Sequence, residues 1–237
     1  MPYSCQPEVA VEPRLSRDTL VDGALRLLDA EGMEALTIRR LAQSLGFTPM
    51  AVYWHVKNKD ELLLAVSERI WGLSVVHDDP DLEPPEPLDQ LRSLFASMLS
   101  ALRAHPQAAP LLTRTGAGHN KACFDVTEAT LRIFDRLGFP PDQAAQLSIQ
   151  ALWTLISLVG GEPGAAQPGL GAEEQAEKER SRRATFLSLD PARYPHVIAA
   201  APALTNCEQP DTFYQLGVEV FLAGVARLAE SQAVNRT

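Results

Sequence analysis

The stretch AVYWHVKNKDEL (residues 51–62) sets two rings, an imidazole and two amines, Tyr53, Trp54, His55, Lys57 and Lys59, within seven residues. Rings stack on bases, and amines neutralise phosphates, so the chemistry on offer is contact with a polyanion. Other chemistries find little support. His77, His105, His119 and His196 show no metal-ligand spacing, and Cys5, Cys123 and Cys207 are too scattered for a zinc module. No nucleophile elbow or phosphate loop is present. No catalytic role, cofactor or metal is expected.

Charge distribution points the same way. The formal net charge is −9, which by itself argues against a nucleic-acid partner. Residues 14–61, however, hold seven cations and seven acids, and residues 62–237 hold 14 cations against 21 acids. Within 35–59 stand Arg39, Arg40, Lys57 and Lys59 with no acid among them. An acid-free basic window in an acidic chain fits a local polyanion contact. The cysteine count and the acidic, proline-containing start argue for a cytoplasmic home, and no uncharged run is long enough for a membrane helix.

The elements that must position these groups read as helices. Ser16 caps a first helix ended by Gly32, with Leu20, Ala24, Leu27 and Leu28 on one face. Thr37 caps a second, closed by Gly46, with Leu36 and Leu41 as a hydrophobic staple. Thr48 caps a third that opens on Pro49, and Phe47 with Val52 repeats the staple. Asn58 caps a fourth, with Glu61 placed for a capping box, running to about Val76. Two short helices, 37–45 and 49–56, joined at a glycine make a helix-turn-helix, and a stub of about 12 Å suits the DNA major groove. Val52 and Val56 then face the bundle, leaving Met50, Ala51, Tyr53, Trp54 and His55 toward DNA.

From Pro87 the periodicity predicts helices over 87–104, 106–114, 119–137, 140–160, 174–187, 191–200 and 210–231, with GGEPGAAQPGLGAEE (160–174) as a mobile loop. The second half of 140–160, ALWTLISLVGG, is apolar nearly all round, and 210–231 carries Gly217 and Gly224 where helices can approach closely. The fold class expected is all-α. A helix-turn-helix domain, 14–61, precedes a larger domain, 62–237.

The segment LTIRRLAQSLGFTPMAVYWHVKNKDELLLAV resembles the DNA-binding domain of TetR-family transcriptional repressors, and YWHVKNK is especially similar to the tetracycline-repressor branch. The specific match covers about 50 residues. A weaker similarity continues through LRAHPQAAPLLTRTG, LGFPPDQAAQL and EEQAEKERSRR. The resemblance implies an all-helical homodimer, joined here through 140–160 and 210–231. It would repress transcription from a palindromic double-stranded DNA operator until a small-molecule inducer enters the C-terminal domain. It implies that Arg39 touches a base, that Thr48, Pro49, Met50 and Ala51 form the base-facing start of the recognition helix, and that Tyr53, Trp54, His55 and Lys59 lie along groove and phosphates. Thr48, Pro49 and Met50 depart from the branch's acid, amide and proline, so a different operator is expected.

In that branch the inducer is a magnesium-chelated drug held by polar side chains. The matching positions here fall on Val75, Leu94 and Met98, with the metal-ligating histidine falling on or beside Leu112. His77 lies on another face from Val75. The pocket expected is therefore lined by Leu94, Met98, Leu112 and Trp153, with Arg114 as its one cation to meet a carboxylate or carbonyl, and suits an apolar inducer, anionic and aromatic ones included. The competing readings are a helical small-molecule-binding protein whose helix-turn-helix is only scaffold, and an enzyme using that pocket. The acid-free window favours the DNA-binding reading, because scaffold alone does not need it.

Overall fold

A computed structural model of the protein describes residues 15–74, 86–114 and 121–235. Among these there are helices, turns and no strand. Four helices come first: α1 (Arg17–Glu31), α2 (Ile38–Leu45), α3 (Pro49–Tyr53) and α4 (Lys59–Leu73). Val75, His77, Cys5 and His119 lie outside the described residues.

Each of the four starts on the cap its sequence announces. Ser16, Thr37, Thr48 and Asn58 accept through their side chains from the backbone N–H groups of Thr19, Arg40, Ala51 and Glu61. Each bond satisfies a donor left orphaned by the first helical turn and is worth about 1 kcal/mol. Glu61 reaches back as expected, but its carboxylate takes the Lys57 N–H at 2.8 Å, one residue before the cap. Gly46 stops α2 in the left-handed region (φ 76°), and the Phe47 N–H bonds back to Ala42 O at 2.9 Å. Only glycine adopts that conformation without strain, so the chain reverses here and α3 leaves at an angle to α2.

The third helix is shorter than its periodicity suggests. It ends at Tyr53, and His55 N–H bonds to Val52 O in a tightened last turn. The cap at Asn58 then claims the chain for α4. Leu36, Leu41, Val52 and Val56 are wholly or almost wholly buried, in a corner where α2 packs on α1 and α3 on α2.

The second part comprises α5 (Pro87–Ala104), α6 (Leu111–Arg114), α7 (Lys121–Arg136), α8 (Pro141–Gly160), α9 (Ala172–Leu187), α10 (Pro195–Thr205) and α11 (Pro210–Asn235). The stretch expected as one helix over 106–114 is a 3₁₀ turn, Pro106–Ala108, then the single turn of α6. Pro110 has no N–H to carry the helix through. Pro202, by contrast, is accommodated inside α10, which runs past the expected end at 200.

Helix α5 is central, touching α4, α7, α8 and α11, and α9 packs on α10. One apolar core runs continuously from Leu20 in α1 to Val225 in α11. The expected domain boundary at 61/62 falls inside α4, so the first four helices and the larger bundle share that helix. Loop 161–171 is not loose: Gly169 N–H donates to Ala30 O (3.2 Å), Gln175 Nε2 to Ala165 O (3.1 Å), and Pro163 O accepts from Cys207 N–H (2.8 Å).

Candidate nucleic-acid interface and ligand cavity

The α2–α3 corner assembles the residues singled out in the sequence. Trp54 is 84% exposed, Met50 67% and Tyr53 50%, so neither ring is core. Pro49, Thr48 and Arg39 are exposed beside them, and Ala51 and His55 are half-buried. Exposing a tryptophan this far costs hydrophobic free energy unless something covers it. The Thr48 hydroxyl is already engaged, accepting from the Ala51 N–H at 3.3 Å.

The cations divide. Arg40 is not available to a partner: Glu31, reaching from the end of α1, accepts its Nε at 3.0 Å and takes a second bond from its Nη2. Those hydrogen bonds, more than the opposite charge, hold the Glu31 carboxyl below its usual range. Arg39, Lys57 and Lys59 have no carboxylate partner among the described residues, which leaves them to meet a phosphate or a base edge.

Helix α4 connects this corner to the rest. Near its start Leu62 and Val66 are fully buried, and α4 packs on α1. Arg69 grips α1, with Nη1 on Asp22 and Nη2 on Asp18, both at 2.7 Å. One turn of α1 separates the two acids, which is why a single guanidinium reaches both. Two residues on, Trp71 turns into the larger bundle. A second tie runs from His105 at the end of α5, whose Nδ1 lies 2.8 Å from Asp29 of α1.

Trp71 forms part of the wall of a cavity of about 280 Å³ between α4, α5, α6, α7 and α8. Leu94 and Met98, one turn apart on α5, line it together with Leu112 of α6. Two of the expected residues do not. Arg114 is exposed at the end of α6 and is not on the wall, and Trp153, 51% exposed, stands on the outward side of α8 beyond Ile149. Trp153 fails because the cavity face of α8 is set by Ala145, Ser148 and Leu152, and residue 153 lies about 100° further round than 152.

The wall also holds residues the sequence reading missed, among them Phe95, Val126, Thr130 and Leu131. Their i, i+4, i+5 spacing on α7 was the available signal. Among the described residues no charged side chain lines the space. Cys123, 2% exposed, has its thiol pushed up by burial, with a hydrogen bond to Thr127 offsetting part of that rise. Among the described residues no group of three or more His, Cys, Asp or Glu could hold a metal.

The outer faces of α8 and α11 are apolar and uncovered in the single chain. Ile149 and Trp153 of α8 and Leu216, Val220 and Leu228 of α11 are all more than half exposed. Gly217 permits the two helices to touch within the chain, since a Cβ there would lie 2.3 Å from Leu158 Cδ2. Gly224 has open space around it. No helix among the described residues is long and apolar enough to cross a membrane.

Comparison with known proteins agrees with this geometry. Residues 20–66 match the model for bacterial regulatory proteins of the tetR family, and residues 80–229 match the tetracyclin repressor-like C-terminal domain. The chain is 39% identical to the class E tetracycline repressor protein of Escherichia coli over 132 residues, which are 55% of this chain and 61% of that protein. It is 28% identical to the class C protein of Escherichia coli over 218 residues, covering 91% and 92% of the two chains. Apo ActR from Streptomyces coelicolor shares the fold, with a TM-score of 0.69 at 24% identity over 94% of this chain and all (100%) of the other. ActR in complex with actinorhodin gives 0.63 at 25% identity, over 89% and 95%. The chain belongs to the tetR family of bacterial regulatory proteins and is a ligand-responsive, DNA-binding regulator of transcription.

Proposed function

We propose that the protein is a cytoplasmic repressor that works by binding and not by catalysis. A homodimer would hold a palindromic operator through residues 14–61 of each copy and release it when an apolar small molecule enters the cavity in 62–237. Arg39 would read a base. Thr48, Pro49, Met50 and Ala51 would enter the groove first, and Tyr53, Trp54, His55 and Lys59 would follow groove and phosphates. Leu94, Met98 and Leu112 would line the inducer. The observation that carries this reading is α4, which presents Trp71 to the cavity and Arg69 to α1, so that an occupant pressing on the wall acts on a helix clamped to the reading head.

The inducer differs in kind from that of the tetracycline-repressor branch. A wall with Leu94, Met98 and Leu112, and with no charged group or histidine among its described residues, supports an apolar molecule and not a metal chelate. The test is a binding selection on random duplex DNA, followed by competition on the selected sequence. A palindrome should emerge, and tetracycline with magnesium should leave the complex intact. Failure to enrich any sequence would defeat the proposal.

A further inference from the structure

This inference rests on the reading that the 280 Å³ cavity holds the effector, and it concerns what kind of molecule fits. The polar side-chain groups on the described wall are few: the Trp71 indole N–H, the Cys123 thiol and the hydroxyls of Thr127, Thr130 and Ser148. Thr130 Oγ1 donates to Val126 O at 2.7 Å, and the Thr127 hydroxyl pairs with the Cys123 thiol. Ser148, half-buried on α8, has no hydrogen-bond partner among the described residues. Helical serines commonly turn back to the carbonyl four residues earlier, as Thr130, Thr154 and Ser74 do here. Ser148 does not, and its hydroxyl lines a space whose described wall is mostly hydrocarbon.

We propose that the effector is a neutral, one- or two-ring apolar molecule carrying a single hydroxyl or carbonyl, and that Ser148 pairs with that group and orients it. Size follows from the volume, which lies just under the range of about 300–1,000 Å³ typical of sites for drug-sized ligands. Neutrality follows from the wall. A carboxylate buried there would meet, among the described residues, no cation and only the Ser148 hydroxyl and the Trp71 indole N–H, far short of what its lost hydration demands. Discrimination follows from Ser148. A ligand with a matching hydroxyl satisfies the hydroxyl on the wall, and a bare hydrocarbon leaves it unpaired.

The experiment uses the full chain with Trp54→Phe and Trp153→Phe, leaving Trp71 on the wall as its one indole. Excitation at the red edge of the indole band follows titration with 5-indanol, indane and indane-5-carboxylate. The expected result is saturable change with 5-indanol, binding about tenfold weaker with indane, and no response to the carboxylate. Ser148→Ala should bring indanol down to the level of indane while leaving indane within about twofold, and Ser148→Thr should keep the preference. Carboxylate binding as tight as indanol, or a preference that survives Ser148→Ala, overturns the assignment of ligand class while leaving the cavity as the effector site. No response of Trp71 to any of the three refutes the cavity reading itself.

Discussion

At the scale of single residues, the reading head separates groups that look alike in sequence. Arg39 and Arg40 are neighbours, yet Arg40 is bound by Glu31 and Arg39 is not. Arg39→Ala should cost on the order of 1–3 kcal/mol of operator binding and relax preference at one base pair. Lys59→Ala should weaken all sequences alike and flatten the salt dependence by about one unit of slope per subunit. Anisotropy titrations of the selected duplex and single-base variants check both, and equal loss of specificity from the two changes would refute the division. The sequence showed four cations in one window but not this division, because Glu31 comes from another helix. Arg114 and Trp153 failed for the same kind of reason. Helical spacing shows which residues share a face, and only packing shows what that face meets.

At the scale of elements, local chemistry was legible almost everywhere. Caps act within three residues of themselves, so Ser16, Thr37, Thr48 and Asn58 could be read directly. Lengths were less secure. Helix α3 loses its last residues to a tightened turn before Asn58, and 106–114 splits at Pro110. The α2–α3 turn depends on Gly46 at positive φ. Gly46→Ala should destabilise the protein by about 1 kcal/mol, read as a lower urea midpoint with unchanged m-value, because alanine is strained there while space around it is open. An unchanged midpoint would mean that the turn relaxes into another form. The face shared by α8 and α11 gives a second test. Phe221 stacks on Phe95 at 5.1 Å inside the chain, so a charge at 221 would attack the fold. Val220, 67% exposed, is the cleaner probe. Val220→Asp should leave helicity intact, shift the protein to monomer in native mass spectrometry and abolish operator binding, because an unpaired carboxylate would be buried in the dimer. A dimer that persists in this variant places the interface elsewhere.

At the scale of the whole molecule, an acidic chain carries a small, locally basic corner on a bundle with an apolar cavity. The same continuous core holds both. As proposed above, the corner meets duplex DNA in two copies. One short recognition helix reads only a few base pairs, so useful specificity requires paired half-sites about one helical turn apart. Lys57 and Lys59 from each of two copies neutralise at least four phosphates, which predicts a log–log salt slope of roughly −3.5 or steeper, about a hundredfold loss of affinity between about 50 and 200 mM salt. The direct measurement is fluorescence anisotropy of the selected palindromic duplex across that range, beside a scrambled duplex of equal length. The account predicts two subunits per duplex, that steep slope, and clear preference for the palindrome. Binding indifferent to salt, or equal on both duplexes, would contradict it.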